Sequence, residues 1–220
     1  MLIVRRLVRR SLLALILAAG AAGPAIAQPP FPRQSPRPNA WASLSVGLYN
    51  LQEIFDPESN SVWDFGNIFQ FRGSLEREFQ RGTTIGVAAT LARAPLTYDG
   101  PECVCDADLT LWQALALFRL GGGRSFGLHQ VIEIAAGVSG FSNFSARTGS
   151  SIGPGTTIDP TFKIGYGLGY PLGPNLEFNL VQEVGLMLHE RGERAAGDES
   201  NVPRTWSTRV GIRYGLGTRR

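Results

Sequence analysis

Hydrophobic residues recur at every second position over much of the chain, and a period of two marks an extended strand with two unlike faces. Residues 206–216 show it well. Trp206, Thr208, Val210, Ile212, Tyr214 and Leu216 alternate with Ser207, Arg209, Gly211, Arg213 and Gly215. Similar alternation predicts strands at 41–51, 63–79, 83–93, 108–120, 126–141, 157–170 and 175–190. In strand 63–79, Phe65, Phe69, Phe71 and Leu75 share one face, opposite Gln70, Arg72, Ser74, Glu76 and Glu78. The pattern is mixed in 108–120: Leu109, Leu111, Leu115 and Leu117 align, while Trp112 and Phe118 fall on the other side. A helix competes there.

The connections sort by length. Tight turns follow the second, fourth and sixth strands, at 80–82, 121–125 and 171–174. Long polar segments follow the first, third, fifth and seventh, at 52–61, 94–107, 142–156 and 191–204. An even number of antiparallel hairpins with every long loop at one end predicts an all-β, eight-stranded up-and-down transmembrane barrel, with short periplasmic turns and longer extracellular loops. Greek-key sandwiches have no reason to sort loop lengths this way.

The two faces bear on the same choice. A soluble lipocalin-type barrel lines its interior with apolar residues, whereas a membrane barrel turns them outward and keeps the lumen polar. The less greasy face carries Arg72, Glu76, Glu133, Lys163, Glu177, Glu183, Arg209 and Arg213. Both signs are present, which predicts a lumen in which these charges neutralise one another. The apolar face carries aromatic residues near both ends: Phe79, Phe126, Tyr170 and Tyr214 toward the tight turns, Phe65 and Trp206 toward the long loops. Two aromatic bands are expected where a barrel wall crosses the two membrane interfaces.

The first 27 residues strengthen the membrane reading. Arg5, Arg6, Arg9 and Arg10 precede a short apolar run and the tripeptide Ala25-Ile26-Ala27, the layout of a cleavable secretory signal peptide. Residues 28–39 (QPPFPRQSPRPN) form a proline-rich tether, 40–217 the barrel, and 218–220 a short tail. The net charge of +3 belongs to the signal, because removing its four arginines from the 21 basic residues leaves 17 against 18 acidic ones. The mature chain therefore has no electrostatic footprint for nucleic acid.

Taken together, the mature chain resembles the small eight-stranded outer-membrane barrels of the OmpX type and the OmpA transmembrane domain. In that family the last strand carries a signal read by the barrel-assembly machinery, and Arg209, Gly211, Tyr214 and Leu216 match its spacing; here the chain continues through Gly217 to Arg220. The resemblance implies a Gram-negative outer membrane, with its lipid and lipopolysaccharide and the assembly machinery as partners. It also implies a structural or surface-interaction role, with a side-chain-filled lumen and no open pore.

Candidate chemistry is sparse. His129 and His189 are the only histidines, and neither has an adjoining serine in the pattern of barrel enzymes that modify lipid A. No catalytic, metal or cofactor residues are assigned, and the surface ligand is left unknown. Cys103 and Cys105, in the second long loop, are expected to be oxidised after export. They would form a local disulfide, an intermolecular bridge, or a metal site with Asp106 and Asp108. Two other functions compete with the outer-membrane role: a soluble exported barrel that binds a lipid or other apolar ligand, and a membrane enzyme acting on lipid.

Overall fold

Alternating sequence becomes ten strands in the computed structural model, which describes residues 38–56, 59–80, 82–121, 127–147, 156–189 and 202–217. The expected signal peptide, nearly all of the tether, Phe126 and the tail lie outside these residues. The strands are β1 (Ala40–Leu51), β2 (Ile54–Asp56), β3 (Ser61–Phe65), β4 (Ile68–Gln80), β5 (Thr83–Asp99), β6 (Val104–Leu120), β7 (His129–Ala146), β8 (Thr157–Gly173), β9 (Leu176–Met187) and β10 (Arg204–Leu216). They form one sheet in the order β2-β3-β5-β4-β1-β10-β9-β8-β7-β6, and a further β5–β6 pairing closes it. The closed ring consists of β1 and β4 to β10, eight strands each antiparallel to both neighbours. Closure leaves the ring without an exposed edge. At the seam between first and last strands, Gly211 lies opposite Ser45, and a Cβ at Gly211 would come within 2.6 Å of the Ser45 Cβ.

Residues 108–120 are strand, so the competing helix is not what forms. Four leucines of this strand, β6, point inward: Leu109, Leu111, Leu115 and Leu117 are buried, whereas Phe118 and Leu120 are exposed. Leucine there fills the barrel interior.

Strands β5 and β6 also absorb an expected loop. The β5–β6 pairing continues from Pro95 opposite Asp108 to Asp99 opposite Val104, so most of 94–107 is hairpin. Its outward residues are mostly polar, Val104 excepted, because this part rises beyond the apolar wall, which made strand look like loop. Part of the first long connection is strand as well. Strand β2 pairs with β3, and β3 with the outer part of β5. Strands β2, β3 and the ends of β5 and β6 thus make a small four-stranded sheet beyond the ring.

Bulges reset which side chains face inward. Between β3 and β4, the register passes from Phe65 opposite Leu96 to Phe69 opposite Arg93. The additional residue on this side reverses the parity at Gly66 and Asn67. Trp63 is buried before the bulge, and Ile68, Gln70 and Arg72 after it. Phe65 is consequently not an outer-wall aromatic beside Phe69. It is half-buried and packs against Phe141 at a ring separation of 6.0 Å. A second irregularity takes β6–β7 from Thr110 opposite Ser142 to Asp108 opposite Ser145. Asn143 takes a positive φ of 57° in this segment, and Phe144 joins Phe141 in the interior.

The outer wall is apolar around the ring, with Leu44 76 % exposed and Phe71 59 % exposed, against 1 % for Glu133 on the inner face. Phe79, Tyr170, Trp206 and Tyr214 are exposed on this wall. Trp112 adds an aromatic near its outer margin and lies over Gly140, where a Cβ would approach the indole to 2.2 Å.

Candidate functional site

Two layers of different chemistry fill the barrel. The layer nearer the tight turns is ionic. Arg213 donates to Glu76 at 2.7 Å, and Arg72 to Glu183 at 2.7 Å. Arg119 and Arg209 both hydrogen-bond Glu133. Arg209 also reaches Glu183 at 3.3 Å. Arg119 lies 3.7 Å from Glu177 and 3.9 Å from Glu76, and Arg213 lies 3.9 Å from Glu177. Carboxylates are therefore shared between guanidinium groups, with Ser74, Thr84 and Ser207 donating further hydrogen bonds to Glu76 and Glu183. Such sharing is what lets charges persist out of water. Near the ring's inner end the Arg213 guanidinium sits 4.2 Å over the Trp41 ring.

The structure brings together the eight charged residues expected in the lumen and adds Arg119 at their centre. Sequence alternation missed it because Arg119 shares its face of β6 with four leucines. Lys163 stands at the top of this layer, donating to Gln113 Oε1 at 2.7 Å and lying 4.7 Å over the Tyr49 ring. Gln113 in turn donates to Ser139 at 2.9 Å.

The layer toward the long loops is mainly apolar. Trp63, Tyr98, Leu109, Leu111, Phe141, Phe144 and Met187 are buried together, with Ile54 and Ile68. Trp63 packs its ring 4.9 Å from Phe144 and 5.7 Å from Phe141.

One polar group is built into this mouth. His189 Nδ1 lies 2.7 Å from Asp159 Oδ2, and its Nε2 lies 3.6 Å from Asp56 Oδ1. Ser59 donates its hydroxyl to Asp56 Oδ2 at 2.5 Å and its backbone N–H at 3.2 Å. Trp63 Nε1 donates to Ser61 Oγ at 2.8 Å, and the Trp63 ring lies 5.3 Å from the imidazole. Burial disfavours the charged imidazole, but the hydrogen bond to Asp159 and the negative charges of Asp159 and Asp56 outweigh it and push the His189 pKa up to about 9. The protonated ring ties the β2–β3 hairpin to the outer ends of β8 and β9. With it charged, the buried interior of the described residues holds six carboxylates and six cations.

The arrangement has the parts of a hydrolytic triad without its geometry. Both imidazole nitrogens face carboxylates, Ser59 bonds Asp56 rather than the imidazole, and His189 is fully buried. His129 lies on the inner side, 3.5 Å from Glu177. Among the described residues, no group of three or more His, Cys, Asp or Glu side chains could hold a metal ion.

Cys103 and Cys105 form a disulfide at the tip of the β5–β6 hairpin and pack against the mouth cluster. Arg209 and Gly211 of the last strand face inward, and Tyr214 and Leu216 face outward.

The barrel fold recurs in solved structures. The structure of Neisserial surface protein A matches at a TM-score of 0.55 and 11 % identity, over 81 % of this chain and 97 % of that one. The fold is that of a small outer-membrane β-barrel. Other matches are OprG of Pseudomonas aeruginosa (TM-score 0.49, 15 % identity, 83 % and 99 % of the two chains) and Ail, the attachment invasion locus protein of Yersinia pestis, in complex with the heparin analogue sucrose octasulfate (0.42, 18 %, 80 % and 99 %). No protein-family model and no curated protein matches the sequence.

Proposed function

We propose that the protein is an integral outer-membrane barrel that serves the cell envelope as a structural and surface-interaction element, without catalytic activity and without an open pore. The observation carrying this is the inversion of polarity: apolar side chains stand exposed around the closed wall, while ionised ones are sequestered within it. Such a wall is unstable in water and suited to hydrocarbon. The interior does not suit a carrier of apolar ligands, because its inner layer consists of paired charges. It does not suit a channel either, because Arg119, Arg213, Lys163, Tyr49, Trp63 and Phe141 fill it as fully buried side chains. The lack of catalysis is supported by His189, which is fully buried, with Nδ1 bonded to Asp159 and Nε2 facing Asp56.

Membrane fractionation tests the reading. The protein should stay in the membrane pellet after a carbonate wash and migrate differently on gels when boiled, and the pure protein should give no conductance steps in planar bilayers. Release into the wash would overturn the membrane assignment, and regular conductance steps the closed lumen.

A further inference from the structure

The small sheet beyond the ring has an inner face buried on the mouth cluster and an outer face that no described element covers. Its strands place three apolar residues in register across that outer face. Phe55 of β2 lies opposite Val62 of β3, Val62 opposite Asp99 of β5, and Asp99 opposite Val104 of β6. Val104 is 74 % exposed and Phe55 47 %. The neighbouring row is Asp64, Thr97 and Asp106. These rows lie past the apolar wall, which on β5 gives way to polar residues after Leu91 and on β6 above Trp112. Lipid contact therefore does not account for their hydrophobic members.

Charge selects the occupant. Among the described residues, Asp64 and Asp99 are exposed and have no ion-pair partner, and Asp106 has only the exposed Arg147, at 3.7 Å. An apolar strip flanked by unneutralised carboxylates is complementary to a polypeptide carrying both cations and aliphatic side chains. It is mismatched to a polyanion. The disulfide braces the hairpin tip from the inner side, so the face is presented on a stiffened scaffold rather than on a loose loop.

We infer that the outer face of the β2-β3-β5-β6 sheet, centred on Phe55, Val62, Asp64, Asp99 and Val104, binds a basic amphipathic polypeptide segment. This deepens the surface-interaction role and rests on the membrane reading for its orientation toward the cell exterior.

The full chain in detergent micelles is titrated with a fluorescent dodecapeptide of alternating lysine and valine, and anisotropy is followed. Its glutamate-valine counterpart and heparin serve as rival probes. Binding of the lysine peptide is expected, weakening as salt rises. The Asp64→Asn/Asp99→Asn double variant should bind about fivefold to tenfold more weakly, and Val104→Ser should also weaken binding. Both variants should keep the heat-modifiable migration of the folded barrel. Equal binding of the glutamate peptide, preferential binding of heparin, or indifference to both variants would overturn the inference. Failure of the membrane reading shows separately, as release of the protein in carbonate washing, which leaves the micelle titration unaffected.

Discussion

The inner and outer halves of the lumen solve one problem in opposite ways. Both must fill a narrow space from which water is excluded. The inner half uses Arg72, Arg119, Arg209 and Arg213 laced through Glu76, Glu133, Glu177 and Glu183, whereas the mouth uses Trp63, Leu109, Leu111, Phe141 and Phe144. The ionic half depends on completeness, because each carboxylate serves more than one cation and a missing member strands the others. The apolar half depends on volume, because its members make many weak contacts and lose in proportion to what is cut away. The same fold therefore holds one region whose losses scale with the volume removed and one where a single removal strands its neighbours.

The sharpest break of this contrast is Glu133→Ala. Its carboxylate hydrogen-bonds both Arg119 and Arg209 and lies 3.9 Å from Arg72. Removing it leaves buried cations without their shared counter-charge, a loss of about 3–5 kcal/mol. Urea unfolding of the micelle-bound protein, followed by tryptophan fluorescence, should show the midpoint fall accordingly. A loss under 1 kcal/mol would mean that water or rearranged neighbours replace the carboxylate easily.

Leu111→Ala probes the apolar half by the same assay. This fully buried side chain lies in the mouth cluster, and its truncation should cost about 3 kcal/mol through lost contacts and an unfilled cavity. Refilling the space sharpens the contrast: Leu111→Met should restore most of the loss, whereas no neutral residue should restore Glu133→Ala. Equal rescue in both halves would remove the distinction.

How much of this was legible in sequence follows from the same physics. The eight strands of the ring, the sorting of turns and loops, and the wall of β8 to β10 were readable because a strict two-residue period survives wherever one face meets hydrocarbon and the other meets charge. Arg119 was not, since leucines on the inner face of β6 blurred the difference between faces. Phe65 was assigned to the wrong side because one additional residue at Gly66 and Asn67 inverts every side chain beyond it, and nothing in the local pattern announces a bulge. The His189 cluster was hidden for another reason. Its partners Asp56 and Asp159 come from separate segments that only closure of the barrel and folding of the β2–β3 hairpin bring together. The hairpin at 94–107 looked like loop because strands that rise into water lose the apolar outer face by which the others were found.

His189 lies where the two chemistries meet, a charged group inside the apolar mouth, and pH addresses it. Its pKa is raised from the ordinary 6.5 to about 9 in the folded protein. Its contribution to stability is thus fully present below pH 6.5 and is lost as pH rises through about 9. Unfolding midpoints measured from pH 6 to 10 should decline over that window in the native protein by more than in His189→Gln. Parallel curves for the two proteins would show that the imidazole carries no charge of consequence between its aspartates.

The smallest expected effect asks whether ionic contact or its burial matters. Arg93 donates to Asp108 at 3.0 Å on the outer surface of the β5–β6 hairpin, a separation close to the 2.7 Å of Arg213 and Glu76 inside. The difference is solvent. The Arg93 side chain is 78 % exposed, and that of Arg213 is 2 % exposed. Water competes for the exposed pair and screens it, so Arg93→Ala should change stability by no more than about 0.5 kcal/mol. Arg213→Ala should cost several times more, because Glu76 would be left inside the barrel with fewer partners. If the two substitutions cost the same, contact geometry alone would set the worth of an ion pair in this protein, and the ionic half of the lumen would lose its claim to special sensitivity.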